Sequence, residues 1–281
     1  MRLFQRTPMV PILRFTGAIG MATPLRPGIA LASTAAGIER AFRISKTPVV
    51  AVLVNSPGGS PVQSHLIYKR IRALAKETGK TVCVFAEDVC ASGGYFLALA
   101  GDEIYADPSS IVGSIGVVSA SFGFDKLIDK IGVERRVYTA GERKMALDPF
   151  SPENPEEITR LKALQKDVHQ TFIGIVKERR GAKLKASDAE LFSGEFWSGP
   201  KALELGLIDG IGDVRTLMRA RFGDKVRLPI IPFGGGWLKR RLGLSREGLV
   251  GENILVPTTS SLGADILSTL ETRALWARFG L

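Results

Sequence analysis

The sequence predicts an α/β fold with flanking helices, and two β-loop-α units together with the composition support that prediction. The first unit joins a continuous apolar run at 49–54 to an amphipathic helix over 62–77. The second joins a strand over 81–86 to a helix over 92–99. Glycine is plentiful, with 31 among 281 residues, while aromatic residues make up only 7%, as expected for an α/β chain with many tight turns. A hydrophobic content of 45% is sufficient for a large core.

The other predicted elements follow in chain order. A first strand covers 10–15 and ends at Gly17, residues 21–32 form a loop, and Ser33 or Thr34 caps a helix that ends near 42. Further strands are expected at 103–106, 111–118, 134–139 and 226–231. Further helices are expected at 124–131, 154–180, 188–192, 200–205 and 213–222. The long helix at 154–180 has an apolar stripe formed by Ile158, Leu161, Leu164, Val168, Phe172 and Ile175. This stripe predicts that the helix covers a sheet or docks on a neighbouring subunit.

The chain divides into three predicted segments: a basic arm at 1–9, one large domain at 10–232, and a linker with a helical tail at 233–281. Within the last segment we expect a basic amphipathic turn at 237–242, a polar linker at 257–261 and a helix at 266–281 with Leu267, Leu270, Ala274 and Ala277 on one stripe. The net charge is +10, of which residues 1–50 carry +6. A basic segment of this kind indicates an anionic surface or a solvated arm; we expect no nucleic-acid partner and leave peripheral membrane contact open. No run of about 18–20 uncharged apolar residues occurs. We therefore expect a cytoplasmic location, with the inner face of the membrane as the alternative.

The chain contains two cysteines, Cys83 and Cys90. They are too few for a disulfide framework, and their surroundings lack further ligands at the spacing of a metal site. We expect two buried, reduced thiols, no metal and no cofactor.

The candidate nucleophile is Ser92, which follows an apolar strand and a short acidic turn at Glu87 and Asp88. Gly93, Gly94 and an apolar helical run come directly after it. A hydroxyl at such a strand-to-helix junction lies beside the first amides of the helix, which have no partner within the helix and can bind a developing negative charge.

A serine nucleophile needs a base, and histidine is the usual one. His65 and His169 both fall on helical runs, and we interpret both as solvated or capped helix histidines. Lys144 lies in a loop between Gly141 and Pro149, with apolar residues around it. A lysine becomes a general base when burial lowers its pKa, although taken alone Lys144 has the pattern of a surface lysine.

A third stretch, Asn55-Ser-Pro-Gly-Gly, joins the first buried strand to the amphipathic helix. A Pro-Gly-Gly turn lets the backbone approach a ligand closely and points free amides outward. On its own this turn is a weak signal, because similar loops hold phosphates or only reverse the chain.

Taken together, Asn55-Ser-Pro-Gly-Gly, Ala91-Ser-Gly-Gly-Tyr, Gly141-Glu-Arg-Lys and the segment from Trp197 to Gly212 resemble the signal peptide peptidase A family, in particular its short SohB-like branch. The resemblance covers about 10–232. It implies a twisted parallel sheet with flanking helices, of the type shared with Clp protease and the crotonases. It also implies Ser92 as the nucleophile, Lys144 as the base, and the amides of Gly58 or Gly59 together with Gly93 as the oxyanion hole.

The expected activity is that of a serine endopeptidase that uses a Ser-Lys dyad on small apolar peptides, either signal-peptide remnants or misfolded cytoplasmic peptides. In the family, protomers assemble into rings, and the serine and lysine of one site can come from adjacent protomers, so a homo-oligomer is expected. Two alternatives remain. A crotonase-type acyl-CoA enzyme would want a carboxylate at the site, and a non-catalytic scaffold at the membrane would use the basic first fifty residues.

Overall fold

A computed structural model describes residues 7–20, 28–141 and 144–234, and residues 270, 273, 274, 276, 277 and 279 near the C-terminus. The strands of these residues are β1 Ile12–Thr16, β2 Val49–Ser56, β3 Thr81–Ala91, β4 Glu103–Ala106, β5 Ile111–Gly113, β6 Phe196–Ser198 and β7 Gly210–Ile211. The helices are α1 Leu31–Ile44, α2 Pro61–Thr78, α3 Gly93–Ala98, α4 Asp125–Lys130, α5 Pro155–Arg180, α6 Asp188–Leu191, α7 Gly199–Glu204 and α8 Val214–Phe222.

The strands form one sheet in which β1, β2, β3, β4 and β7 are neighbours in that order, and all of these pairs are parallel. β5 pairs in parallel with β3, and β6 pairs with β5 in the antiparallel direction. The predicted α/β class, with a parallel sheet and flanking helices, is confirmed.

Every residue of β2 is buried, because helices cover both faces of the sheet. Val50, Val52 and Val54 face a core cluster that includes α1, α2, α3 and α5. The alternate residues of the strand face a smaller cluster that is closed by Met218 of α8. This two-sided burial explains why the strand is continuously apolar.

β3 is longer than predicted, and the acidic turn expected at Glu87 and Asp88 is wrong. The strand runs on to Ala91, and its first part pairs with β4 while its last part pairs with β5. Asn55 supports this crossing, because its Nδ2 donates to Asp88 at 2.5 Å and its Oδ1 accepts from the amide of Val89 at 3.2 Å. Because β3 pairs first with β4 and then with β5, its last residues lie beside β5.

Local signals set the ends of the first two helices. The Ser60 side chain caps α2 by accepting from the amide of Gln63, and the helix ends at Gly79, whose φ is 63°. The predicted cap of α1 is wrong, because the helix begins at Leu31 with Ala30 as its N-cap. The Ser33 hydroxyl accepts instead from the Ala30 amide at 3.2 Å, so a residue expected to cap the helix lies inside its first turn.

Residues 117–153, here called the 117–153 segment, depart most from the prediction. None of the described residues of this segment is buried. The strand expected at 134–139 is wrong, because this stretch has no neighbouring strand to pair with, and β5 stops at Gly113 instead of 118. Residues 226–231 likewise make only isolated bridges, from Arg227 to Met9 and from Ile230 to Ile12.

The long helix α5 covers the core with its second half only. Phe172 and Val176 are buried there, whereas Leu164 on the predicted stripe is 61% exposed. Its end is fixed by Arg180, a buried side chain that donates to both carboxylate oxygens of Asp209.

Residues 207–209, which follow α7, accept hydrogen bonds from α3 and β4. The Tyr95 hydroxyl of α3 donates to the carbonyl oxygen of Leu207 at 2.7 Å, and the Ile104 amide donates to the Asp209 carboxylate at 2.8 Å. These contacts join α3 and β4 to residues about a hundred positions later in the chain.

The described C-terminal residues are helical at 270, 273, 274, 276 and 277. The predicted stripe of this helix is not packed, since Leu270, Ala274 and Ala277 are exposed, and Leu267 lies outside the described residues. Trp276 and Phe279 make the contacts instead, against a cluster formed by Val89 and Ala91. The expected basic turn at 237–242 and the linker at 257–261 also lie outside the described residues, as do 21–27 and 1–6. Among the helices that the structure describes, none combines the length and the apolar character needed to cross a membrane.

Candidate active site

Ser92 lies at the sharp junction between β3 and α3, in a backbone conformation that a side chain rarely adopts. Its φ is 51° and its ψ is −122°. Two backbone hydrogen bonds hold this geometry: the Ser92 amide donates to Gly113 at 2.8 Å, and the Ser92 carbonyl accepts from Phe96 at 2.9 Å. The hydroxyl makes no hydrogen bond to any described residue. A strained, half-buried serine with a free hydroxyl is typical of a functional position.

The turn after β2 packs directly against Ser92, and this contact requires glycine. A Cβ on Gly58 would lie 2.8 Å from the Ser92 Cβ, and one on Gly93 would lie 2.6 Å from the Ser64 hydroxyl. Real Cβ atoms do not approach other atoms this closely, so a side chain on Gly58 would displace the backbone at Gly93, and one on Gly93 would displace the Ser64 hydroxyl. The Pro-Gly-Gly turn and the Ser-Gly-Gly junction therefore form one contact.

Three glycine amides surround Ser92, but they are not equivalent. The Gly58 amide donates to the Ser56 hydroxyl at 3.2 Å. The amides of Gly59 and Gly93 have no acceptor among the described residues, and a Cβ on Gly93 would lie 3.2 Å from the Gly59 nitrogen. Gly93 is the first residue of α3, where an amide has no partner within the helix. Two free donors thus lie close together beside the serine, an arrangement that suits an anionic oxygen.

A cavity of about 160 Å³ opens beside Ser92. It is lined by Gly59, Pro61, Val62, His65, Ser92, Gly93, Phe96, Gly116, Val117, Val168, Thr171 and Phe172. The sequence did not identify α5 as part of the site, although its predicted apolar stripe included Val168 and Phe172. The stripe was the signal in the sequence that α5 packs against the core. It could not show that α5 crosses α3.

Both histidines lie at or beside the cavity, which the sequence did not predict. The ring of His65 lines the cavity and lies 5.5 Å from the ring of Phe96. His169 Nε2 is 3.0 Å from the carbonyl oxygen of Ile115, next to the cavity-lining residues Gly116 and Val117. The interpretation as a solvated or capped helix histidine is therefore wrong for His169, whose ring contacts a backbone carbonyl of another segment. For His65, which has no hydrogen-bond partner among the described residues, it stays a prediction.

Lys144 lies away from this cavity, in the exposed 117–153 segment. It is exposed, its amide donates to Gly141 at 3.2 Å, and it is absent from the cavity lining. The apolar neighbours Met145 and Leu147 are also exposed and do not surround it with a dry environment. The described part of one chain does not bring Lys144 and Ser92 together.

The thiols offer no competing nucleophile. Both cysteines are buried and free, as predicted. Burial raises the pKa of Cys83 to about 12 and raises the pKa of Cys90 well above its usual range, so neither forms a thiolate near neutral pH. Across the described ranges, no group of three or more metal-ligating side chains is close enough to hold an ion.

Comparison with known proteins places this geometry in a family. The model of peptidase family S49 matches residues 74–224, more than half of the chain. A protein named as a protease from Synechocystis sp. is 34% identical over 192 residues, which cover 66% of this chain and 68% of the relative. The chloroplastic serine protease SPPA of Arabidopsis thaliana is 34% identical over 194 residues, 68% of this chain and 28% of that protein.

A further relative has a different name. A protein of Brucella abortus named Na(+)/H(+) antiporter NhaA is 57% identical over 274 residues, which cover 97% of this chain but only 37% of that protein. Most of the protein that carries this name therefore lies outside the matched region. The family model and the protease relatives confirm the resemblance to signal peptide peptidase A drawn from the sequence. This chain belongs to peptidase family S49.

Proposed function

We propose that this chain is a serine endopeptidase with Ser92 as its nucleophile. The observation that carries the proposal is the position of a free, half-buried serine hydroxyl beside the unpartnered amides of Gly59 and Gly93 at an apolar cavity. Such a site can hold a peptide side chain in the cavity and the carbonyl oxygen on the two amides.

In the proposed reaction, the Ser92 hydroxyl attacks the carbonyl carbon of the scissile bond while a neutral Lys144 takes its proton. The resulting oxyanion accepts hydrogen bonds from Gly59 and Gly93. The lysine ammonium then donates its proton to the leaving amine, and water hydrolyses the acyl-enzyme with the same lysine as base. The sequence left Gly58 and Gly59 open as donors; we favour Gly59, because the Gly58 amide already donates to Ser56.

We further propose that Lys144 acts at the site of a neighbouring protomer. Its exposure and its absence from the cavity of its own chain support this step. The 117–153 segment also exposes large apolar side chains, as a contact surface does. The most exposed are Val118, Phe122, Leu127, Ile131, Val133 and Tyr138, between 51% and 90% exposed. Burial of this surface against a second copy would give Lys144 the dry surroundings that a lysine base requires.

The proposed substrates are apolar peptides, because the cavity wall is largely apolar. Signal-peptide remnants and misfolded cytoplasmic peptides both fit this description, and a cytoplasmic location is part of the proposal. The crotonase-type alternative is less well supported, since none of the described residues lining the cavity carries a carboxylate.

The test combines covalent labelling with peptide cleavage. We expect the wild type to react with a fluorophosphonate probe and to cleave a mixed library of apolar peptides. Ser92→Ala should lose both activities, and Lys144→Ala should lose cleavage. Lys130→Ala, which removes another exposed lysine of the 117–153 segment, serves as the matched control and should keep both. Equal cleavage by the wild type and Ser92→Ala would contradict the proposal.

A mixing experiment tests whether the lysine comes from a neighbour. Ser92→Ala and Lys144→Ala proteins, each inactive alone, are dissociated, mixed in equal amounts and reassembled. If the lysine acts across an interface, about a quarter of the sites regain an intact pair, and activity returns to about that fraction of wild type. If both residues act within one chain, the mixture stays inactive.

A further inference from the structure

The wall of the cavity beside Ser92 contains a polar side chain without a hydrogen-bond partner. His65 lies about one helical turn after Pro61, near the start of α2, and its ring lines the cavity. Neither ring nitrogen has a hydrogen-bond partner among the described residues, whereas Thr171, the other polar wall residue beside the nucleophile, already donates to the Asp167 carbonyl at 3.1 Å. An unpaired imidazole in an apolar wall is available to a bound group.

The same wall contains three neighbouring rings, those of His65, Phe96 and Phe172. The ring centroids of His65 and Phe96 are 5.5 Å apart, and those of Phe96 and Phe172 are 4.8 Å apart. Three elements, α2, α3 and α5, each contribute one of these rings. Aromatic rings attract one another at separations of this size through edge-to-face and offset contacts, beyond the effect of buried area. The wall therefore favours an aromatic side chain over an aliphatic one of similar size.

The size of the cavity agrees with a single ring. Its volume is about 160 Å³, and an engineered apolar cavity of roughly 150 Å³ in another protein binds benzene. The described lining contains no carboxylate that would pair with a basic side chain.

His65 is neutral at pH 7. Burial lowers its pKa below the ordinary value, and the nearby charge of Lys69 lowers it further. A neutral imidazole carries one donor and one acceptor nitrogen, and a phenol hydroxyl can pair with either.

We infer that this cavity binds the aromatic side chain of the residue that supplies the scissile carbonyl, and that His65 hydrogen-bonds to a tyrosine hydroxyl there. The inference rests on the proposed peptidase function and adds the class of substrate. His65 is thus a specificity residue, which contacts substrate but takes no part in proton transfer.

The experiment measures kcat/KM for peptides that differ only at this residue, with tyrosine, phenylalanine, leucine or lysine. For the wild type we expect both aromatic peptides to exceed the leucine peptide by about threefold to tenfold, with the lysine peptide the poorest. Tyrosine should exceed phenylalanine by about threefold to tenfold through the hydrogen bond.

Variants of His65 separate the ring from its nitrogens. His65→Phe should keep the preference for aromatic over leucine peptides and lose the preference for tyrosine over phenylalanine. His65→Gln, which retains a donor and an acceptor, should restore part of the tyrosine preference. Lys76→Gln, on the exposed side of the same helix, is the matched control and should behave as wild type. Binding of the same peptides to a Ser92→Ala protein, followed by fluorescence anisotropy, gives the ranking independently of turnover.

The outcomes distinguish this inference from the proposed function. Cleavage with a preference for leucine, or an unchanged tyrosine-to-phenylalanine ratio in His65→Phe, overturns the specificity inference and leaves the peptidase proposal intact. Failure of the wild type both to react with the fluorophosphonate and to cleave any peptide overturns the proposed function, and the inference with it.

Discussion

The surroundings of Ser92 and the 117–153 segment differ in how far one chain completes them. Around Ser92, β3, α3 and the turn after β2 are packed so tightly that glycine is required at several positions, and the free amides of Gly59 and Gly93 lie close together. The 117–153 segment has no buried residue in its described part, yet it carries many large apolar side chains and Lys144. The comparison teaches that Ser92 and the amides proposed as its oxyanion donors depend on the core of one chain, whereas Lys144, the proposed base, depends on what covers the exposed segment.

The largest expected effect comes from replacing a glycine near Ser92 by alanine, compared with the same replacement in the 117–153 segment. Gly59 has a φ of +137°, and its Cβ would lie 2.1 Å from the Ile19 carbonyl oxygen. We expect Gly59→Ala to lower the free energy of unfolding by about 3 kcal/mol, and to lower kcat by about 10²–10³ because a donor is displaced. Denaturant unfolding and peptide cleavage measure the two effects.

The matched control is Gly132→Ala in the 117–153 segment. Gly132 has a φ of +68°, and a Cβ added there would have no atom within 4 Å apart from its neighbours in the chain. We expect a loss of about 1 kcal/mol from backbone strain alone, and little change in kcat. Equal losses for the two variants would show that the two regions are equally constrained, contrary to the comparison.

The next effect contrasts a buried ion pair with an exposed one. Burial raises the pKa of Asp209, but the hydrogen bonds from Arg180 and Lys183 outweigh burial and hold that pKa below its usual value. Because the folded pKa is the lower one, the stabilisation is complete above the unfolded value of about 4 and is lost as the pH falls through the folded pKa. Asp209→Asn should cost about 3 kcal/mol at pH 7, since Arg180 would be left buried with its charge unpaired.

Glu134→Gln provides the exposed counterpart, because Glu134 pairs with Arg136 where both side chains are largely exposed. We expect no measurable change in Tm. Thermal unfolding between pH 3 and pH 7 distinguishes the two pairs: the difference between the wild type and Asp209→Asn should shrink at the acid end. A constant difference across that range would contradict the assignment.

A smaller effect is expected from removing apolar surface in the 117–153 segment. Phe122 and Tyr138 are 79% and 90% exposed. The double substitution Phe122→Ser and Tyr138→Ser should change the unfolding free energy of one chain by less than about 0.5 kcal/mol. If the segment contacts a second copy, activity at low protein concentration should fall about tenfold, together with a lower mass in sedimentation. Unchanged mass and activity would exclude these two side chains from a contact.

The smallest expected effect concerns His169, which holds the Ile115 carbonyl beside the cavity. His169→Leu leaves that oxygen without its partner, and we expect KM to rise about fivefold with little change in kcat. His169→Gln, which can still donate a hydrogen bond, should recover most of the loss. A fall in kcat at constant KM would instead point to a direct role in the reaction.

The sequence predicted best those elements whose partners lie close in the chain. β2, α2 and α3 were located within two residues, because each shows its own apolar pattern, and α2 in addition begins at the capping side chain of Ser60 and ends at Gly79. The end of β3 was missed, because the side chain of Asn55, rather than any local pattern, keeps Asp88 extended. The strand expected at 134–139 was wrong for the opposite reason, since its pattern had no strand to pair with.

In the candidate site, too, the features with a local sequence pattern were predicted best. The serine junction and the glycine turn were evident as motifs, because each is a short local arrangement. Which residues line the cavity depends on where α5 crosses α3. No local sequence pattern predicts this crossing, so His65 and Thr171 were not recognised as wall residues. The roles of Ser92, Lys144 and the glycine amides stay predictions until the variants are measured.

The bonds from Tyr95 to Leu207 and from Ile104 to Asp209 have a consequence for protein synthesis. A nascent chain that has emerged from the ribosome only as far as Arg180 contains every residue proposed for catalysis. It lacks Leu207 and Asp209, the hydrogen-bond partners of α3 and β4 that lie about a hundred residues further along the chain. We therefore expect the geometry around Ser92 to be complete only after residues 207–209 have emerged, so that the proposed activity would be absent from the ribosome-bound polypeptide before that point.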